Sequence, residues 1–348
     1  MLAVGALAAI ALGALGQWYA PLDIFAQFTA HWLILVGAAF LATAFPRRAV
    51  AIVISAIPAA VLTLPLITAT YDDEAARPPM VRETNVAAAA SLSLPTSPAT
   101  AHPLAASFKL LTFNLLQENR NYRAIIDEIE RHDADIVFLA EYGPTKKQLQ
   151  AWLSRRYPYK QDCSGSWHCS IALYSRFPIT KQRLVLAQHD AGPRRIHADI
   201  QIGGTNVHVI GTHLISPLYG LSANYRELDF LAREVAARGP GPVVVAGDFN
   251  ATLFSNAFRN FVEKSGLVHM GHLIPSWPMS PVALPQIGID HVFMSRDVEL
   301  YDVAAGRAPG SDHLPIAATL RLRQRGSRSV ACARLVYHRP LEQPGAIG

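Results

Sequence analysis

Polar residues recur where apolar runs stop. Asn114 closes LLTFN, Glu141 closes DIVFLAE, His213 closes VHVIGTH, and Asp248 and Asn250 close VVVAGDFN. Asp290 and His291 follow IGI, while Asp312 and His313 precede LPIAATL. A side chain at the end of a buried strand leaves the core and can enter a shared cleft. The set supplies carboxylates, imidazoles and amides, with no serine or cysteine nucleophile pattern among them. Hard oxygen donors of this kind suit a divalent cation, and a cation beside a base prepares water for in-line attack on phosphorus. Each residue also has a plainer explanation. Asn114 could cap a turn, Glu141 could be a loop acid, GDFN an Asx turn, SDH a cap, and His213 a satisfied strand histidine. Those explanations would all have to hold at once, whereas one cleft accounts for the whole series. His291 is read as a structural neighbour of Asp290 and left out of the site.

Positioning these residues requires strands alternating with helices. Periodicity predicts strands over 108–116, 135–141, 170–176, 183–187, 196–202, 206–213, 243–247, 289–294 and 314–320, with Gly203-Gly204 turning a hairpin. Helices are expected over 122–131, 144–156 and 222–237. Hairpins mixed with βα units point to two packed sheets with helices outside.

Taken in order, GDFN, IDHVF and SDHLP resemble the endonuclease/exonuclease/phosphatase (DNase I-like) superfamily, over residues 108–322. The resemblance implies a four-layer α/β sandwich, with two mixed β-sheets flanked by helices. It implies Glu141 as the principal Mg²⁺ ligand, with Mn²⁺ the alternative ion, and Asn114 and Asp312 near the metal or its waters. Asp248 would orient or deprotonate water, and Asn250 would hold a phosphate oxygen. Asp290 would fix and charge His313, and His213 would donate to phosphate or assist the leaving group. Either Asp248 or His313 serves as the base. Ala134 and Ala140 stand where relatives often carry Pro and Gln, a difference in the metal's surroundings and not in its ligands. Relatives often carry a Trp-Pro pair like Trp277-Pro278; it could line the cleft, with core packing the plainer reading.

The rest of the chain is unlike a soluble enzyme. Its 348 residues are 51% hydrophobic and 16% charged, well below the usual quarter. The apolar excess lies in residues 1–22, 31–45 and 49–70, expected as three transmembrane helices within a 1–70 anchor. The third would be about 33 Å long as a helix, matching a bilayer core. Arg47 and Arg48 fall between the second and third runs, and the first connection has Asp23 but no Lys or Arg. The positive-inside rule puts the two arginines in the cytoplasm and everything after Thr70 outside, on the periplasmic face of a bacterial inner membrane. Residues 71–106, rich in Ala, Ser, Thr and Pro, read as a flexible linker, 107–323 as the catalytic domain, and 324–348 as a basic, disordered tail.

The net charge of +5 is not gathered into a nucleic-acid footprint. Three cysteines exclude a disulfide scaffold. Cys163 and Cys169 bracket a short loop that a disulfide would close in an oxidising compartment; two free thiols is the other reading, and outward topology favours the bond. Membrane anchoring favours a phosphate ester found near lipid, such as a headgroup or a lipid-linked phosphate. An exported nonspecific nuclease and a non-catalytic binding protein on the same fold are the alternatives, and no obligate protein partner is expected. The absence of intramembrane Lys, Arg or Glu argues against a transporter.

Overall fold

Residue alternation decides how the apolar strands stack. In the strand Val243–Asp248, Val244 and Ala246 face one way and Val243 and Val245 the other, and all four are buried. A strand apolar on both faces must lie between two other layers. The computed structural model describes residues 2–44, 106–163, 169–186, 192–271, 273–279 and 287–323. The third apolar run, the 71–106 linker except for its last residue, and the 324–348 tail lie outside them.

The described strands are β1 (Ser107–Asn114), β2 (Ile136–Ala140), β3 (Tyr159–Asp162), β4 (Ile171–Ser175), β5 (Ile179–Val185), β6 (Arg194–Ile202), β7 (Thr205–His213), β8 (Val243–Asp248), β9 (Val268–His269), β10 (Asp290–Met294), β11 (Val298–Ala305) and β12 (Ile316–Leu322). They form two six-stranded sheets, ordered β11-β12-β1-β2-β4-β3 and β5-β6-β7-β8-β10-β9. Each sheet is mixed: β1 runs parallel to β2 and β7 parallel to β8, among antiparallel neighbours. The inward residues of both sheets, among them Leu110, Phe138, Leu173, Ile200, Val209 and Val292, make one core between them. On the outer face of the first sheet, Leu111, Phe113 and Val137 meet Ile125 and Ile129 of α4 (Tyr122–His132) and Leu149 and Leu153 of α5 (Lys147–Arg156). On the outer face of the second, Val243, Val245 and Phe293 meet α6 (Pro217–Ala236) and α7 (Asn256–Ser265). Helix, sheet, sheet and helix give four layers, as expected from the sequence.

The expected strands and helices are present with small shifts. The 183–187 strand begins earlier, at Ile179. Gly203 and Gly204, at φ 56° and 80°, turn the β6–β7 hairpin. The helix expected from residue 222 is the part of α6 beyond a break at Gly220 (φ −175°, ψ 81°). Strands β3, β9 and β11 were not anticipated. The first is polar and exposed, the second has two residues, and the third buries mainly one end. Helix α7 was also missed. Cys163 and Cys169 are joined by a disulfide, Cα to Cα 5.7 Å.

At the N-terminus, α1 (Leu2–Leu15) packs on α3 (Thr29–Ala44), linked by a 3₁₀ turn (Ala20–Leu22) and α2 (Asp23–Gln27). Among the described residues no single helix is long and apolar enough to cross a membrane. One pair, Ala20–Gln27 with Thr29–Ala42, is long and apolar enough jointly but bent by 57°. The segment is not merely tethered. The Asp23 carboxylate accepts from the backbone N–H of Asn256 (2.7 Å) and Ala257 (3.1 Å) and from Asn256 Nδ2 (2.7 Å), capping α7. Gln27 Oε1 accepts from Thr252 N–H at 2.6 Å.

Helix α6 is pinned to the second sheet by charge. Arg195, fully buried on β6, donates to Glu234 from Nε (2.6 Å) and Nη2 (2.9 Å). Burial alone would raise the Glu234 carboxyl, but hydrogen bonds from His197 and Arg195 hold it well below the usual carboxylate range. A carboxyl lowered in the folded state stabilises above its unfolded pKa of about 4.3, and that stabilisation is lost as pH falls toward the folded value. Glu234→Gln leaves the buried guanidinium uncompensated and is expected to cost on the order of 3 kcal/mol at pH 7. Urea unfolding should show the gap from wild type narrowing below about pH 4; a gap independent of pH overturns this account.

Candidate functional site

Register gathers the polar strand ends. In the first sheet Asn114 pairs with Ala140, so Glu141 lies one residue beyond. In the second, His213 pairs with Asp248, and Asp248 with Asp290. Parallel β1/β2 and parallel β7/β8 therefore deliver their C-terminal ends to the same edge, where β10 begins and the loop before β12 arrives. Gly247 is part of this register. Its φ is 151°, and a Cβ there would stand 1.9 Å from the Thr212 carbonyl oxygen, so no larger residue could follow this path beside β7.

Side chains from both sheets meet at this edge. Asn114 Nδ2 donates to Glu141 Oε1 (3.0 Å) and to Asp248 Oδ2 (3.0 Å), bridging the two carboxylates. Gln117 N–H donates to Glu141 Oε2 at 2.8 Å. Asn250 N–H donates to Asp248 Oδ1 at 2.9 Å, and Asn250 Nδ2 to the Leu214 carbonyl at 3.1 Å. His213 Nε2 and His313 Nε2 lie 3.6 and 3.8 Å from Asp248 Oδ2. His313 Nδ1 donates to Asp290 Oδ2 at 2.8 Å. Seven of the eight sequence-derived site residues thus form one chain of contacts. The eighth, Asp312, stands beside His313 but is held elsewhere: its Oδ2 accepts from Trp277 Nε1 at 3.1 Å. Trp277 is half-buried at the cleft and is not part of the core, so its plainer reading does not hold.

Glu141 and Asn250 both sit at positive φ, 54° and 49°. Non-glycine residues there cost on the order of 1 kcal/mol or more and persist only where their surroundings hold them. Gln117 and Asn114 clasp the first, and the Asp248 and Leu214 contacts hold the second.

The charges sort themselves by environment. Burial raises the Asp248 carboxyl above its ordinary range, against the pull of His313 and with Asp290 adding to the rise. His313 is the reverse: burial opposes its charge, but Asp290 and then Asp248 keep the imidazolium protonated well above the usual histidine range. His213 falls to about 3, through burial first and then the charges of Arg194 and His313, and is neutral at physiological pH. Two histidines in one cleft therefore have opposite states. In this cleft, Asp290 Oδ1 and His213 Nδ1 are buried and have no hydrogen-bond partner among the described residues.

Asp248, Asp290 and His313 could each turn a donor atom toward a common point, those atoms lying within 4.8 Å of one another. The His313 imidazolium already lies against both carboxylates and offsets one of their two charges. Glu141 is half-exposed and accepts one N–H on each oxygen, so lone pairs stay open toward the cleft. The Asn114 amide oxygen accepts from Leu116 N–H at 3.1 Å, and its nitrogen faces the carboxylates. Asn114 is thus placed to orient the Glu141 carboxylate.

Sequence reasoning missed two buried serines. Ser311 Oγ donates to the Asn114 carbonyl at 2.7 Å and accepts from His313 N–H at 3.0 Å, tying the loop before β12 to the end of the neighbouring β1. Ser276 Oγ accepts from the N–H groups of Ile289 and Asp290, both at 3.3 Å. The first was visible as the S of SDHLP; nothing marked the second. Lys146, also missed, donates from Nζ to the carbonyls of Leu116, Gln117 and Asn119, fixing the loop that clasps Glu141. His291 lies apart, donating to the Ala251 carbonyl at 2.8 Å among Phe249, Phe258 and Phe293.

Comparison with known proteins agrees with this geometry. The endonuclease/exonuclease/phosphatase family matches residues 111–313, more than half of the chain. No curated protein matches in sequence. Similar solved structures include a humanized D. rerio TDP2, with TM-score 0.51 and 16% identity, over 62% of this chain and 98% of that one. D. rerio TDP2 complexed with single strand DNA product gives 0.50 and 16% over the same shares. Sphingomyelinase C from Streptomyces griseocarneus gives 0.47 and 18%, over 61% and 99%. At such identities the likeness is one of fold. The family match makes the chain a member of the endonuclease/exonuclease/phosphatase family and a metal-dependent hydrolase of phosphate ester bonds.

Proposed function

We propose that this chain is a membrane-anchored, Mg²⁺-dependent phosphodiesterase. The observation that carries the reading is the buried array in which Asn114 bridges Asp248 and Glu141 while Asp290 charges His313. Asp248, its pKa raised by burial, is matched to taking a proton from water near neutrality. The cationic His313 sits where charge builds on phosphate oxygens, and Asp290 keeps it in one tautomer. Neutral His213 has a proton to donate to a phosphate or leaving-group oxygen. Asn250 keeps one amide proton free for the phosphate. Glu141 would hold the Mg²⁺, with Asn114 orienting it and Asp312 near the ion's waters. One strong carboxylate suffices because Mg²⁺ retains waters and substrate oxygens. When bound, the ion supplies Lewis-acid stabilisation of the phosphate charge.

Membrane anchoring is supported by the apolar runs of the N-terminal sequence and by where their first connection docks. The positive-inside argument puts the first connection, with Asp23, on the same side of the membrane as the catalytic domain. That connection lies against Thr252 and Asn256, a contact that such a topology permits. The disulfide Cys163–Cys169 agrees with an outward, periplasmic location.

Full-length protein in detergent, assayed on bis(p-nitrophenyl) phosphate, tests the chemistry. Chelation is expected to abolish turnover and Mg²⁺ to restore it. Asp248→Ala and Glu141→Ala should each lower kcat on the order of 10³-fold; turnover by Asp248→Ala at the wild-type rate refutes the assignment of the base. Asp290→Asn is expected to lower kcat on the order of 10²-fold while the Mg²⁺ concentration for half-activation stays put. A large rise in that concentration would instead place Asp290 among the ligands.

A further inference from the structure

Beside the phosphate site runs an apolar slot with walls from distant parts of the chain. The N-terminal segment contributes Ile24 and Phe28, and the start of α6 contributes Pro217 and Leu218. Ile287 and Ile289, just before β10, line the opposite side. Gln27, Ser216, Asn250 and Trp277 complete the slot, and the last two belong also to the site: Asn250 N–H donates to Asp248, and Trp277 Nε1 to Asp312. The slot and the catalytic cleft are therefore one continuous surface.

The wall from the N-terminal segment is fixed. Asp23 is buried and holds three donors at the start of α7, and Gln27 holds Thr252, so Ile24 and Phe28 flank anchored residues. The 3₁₀ turn and α2 also lie against α6. Around this junction large apolar side chains face solvent: Trp18 is 75% exposed, Tyr19 62%, Leu218 68% and Tyr219 88%. Exposed Trp and Tyr at the end of an apolar helix, next to an exposed Leu-Tyr pair on a second element, match the composition of a surface seated at a bilayer interface.

We propose that this slot is a substrate subsite for hydrocarbon: it takes the apolar substituent next to the phosphate of an amphiphilic phosphodiester, while the phosphate lies on Asn250 and His313. The inference rests on the phosphodiesterase reading and adds the class of substrate. A phosphate oxygen on Asn250 leaves its ester substituent beside Trp277, Ile24 and Leu218, where alkyl groups lose water and charged ones lose hydration without a partner. The exposed aromatic rim offers a path from the bilayer surface, so the substrate need not leave the lipid phase entirely.

The test compares two matched esters, methyl p-nitrophenyl phosphate and dodecyl p-nitrophenyl phosphate, with full-length protein and Mg²⁺ in the same detergent micelles. Wild type is expected to favour the dodecyl ester in kcat/KM by about tenfold or more, the return of roughly two buried methylenes. Ile24→Asp and Leu218→Asp should each remove most of that preference and leave the methyl ester unchanged. Ile24→Trp, which fills the slot without charge, should do the same and guards against a general folding defect. A third arm presents phosphatidylcholine vesicles; turnover there, lost in Leu218→Asp, identifies membrane lipid as the source, and turnover of the micellar ester alone identifies a dispersed amphiphile. Equal kcat/KM for the two esters in wild type, or variants that slow both esters equally, overturns the subsite. Turnover of neither ester overturns the phosphodiesterase reading itself.

Discussion

Asp248 and Asp290 are both closed off from water and occupy paired positions on neighbouring strands. Two carboxylates so placed repel one another and are each poorly solvated, so at least one must stay protonated or a cation must lie against both. His313 is that cation, hydrogen-bonded to Asp290 and within 3.8 Å of Asp248. Everything else in the cleft is arranged around this triple. Asn114 supplies Asp248 with a donor from the other sheet, Asn250 supplies a second through its backbone, and Ser311 fixes the loop that presents the imidazolium. The distribution of charge follows: a carboxylate pushed upward by burial, an imidazolium held on by two acids, and a second imidazole, His213, kept neutral by burial and nearby cations.

Such a triple has to be assembled from strands far apart in sequence, and the mixed sheets do this. A parallel pair in each sheet places two C-terminal ends side by side, and packing the sheets face to face brings four such ends to one edge. The antiparallel partner β10 then contributes its N-terminal end, and the loop before β12 completes the rim. A one-residue slip of β8 against β7 would turn Asp248 away from the cleft and put Gly247 or Phe249 in its place. Gly247 guards this register, since its backbone passes too close to Thr212 for any side chain. The apolar core between the sheets and the polar cluster at its edge therefore depend on the same alignment.

Much of this was legible in the sequence because burial on both faces leaves an unmistakable record. Runs such as DIVFLA and VVVAG have no polar position to spare, so the first polar residue after each marks where the chain leaves the core. That is why Asn114, Glu141, His213 and Asp248 stood out, and why the fold class followed. What stayed hidden lacked that contrast. The edge strands β3 and β11 face solvent and mix polar with apolar residues, so their periodicity is weak. Ser276 and Lys146 act through contacts between loops remote in sequence, which no local pattern encodes. Trp277 looked like core material on its type alone, since an indole's one polar atom does not reveal whether its partner is a backbone carbonyl or, as here, the carboxylate of Asp312. His291 was separable from Asp290 because adjacent strand residues point to opposite faces, one into the cleft and the other into the aromatic layer beneath α7.

The N-terminal segment shows the limit of dividing a chain by composition. Its apolar runs set it apart from the catalytic sequence, and a boundary near residue 70 is the natural reading. Contacts in the structure cut across that boundary. The N–H groups that open α7 are met by Asp23, and the N–H of Thr252, two residues after Asn250, is met by Gln27. Helix starts leave donors unsatisfied, and a carboxylate placed there also meets the positive end of the helix dipole. Asp23 thus adds to the local cap, in which Ser255 Oγ accepts from Phe258 N–H, two further acceptor contacts from more than two hundred positions away. Without Asp23 those donors would turn to water, and without Gln27 the loop after Asn250 would lose its contacts at Thr252. The segment that looks like an anchor is therefore also packed into the fold of the second sheet's helices and loops. A polar pair inside an otherwise apolar stretch, Asp23 and Gln27, is the one mark of this second role in the sequence, and its meaning appears only when α7 is brought against it.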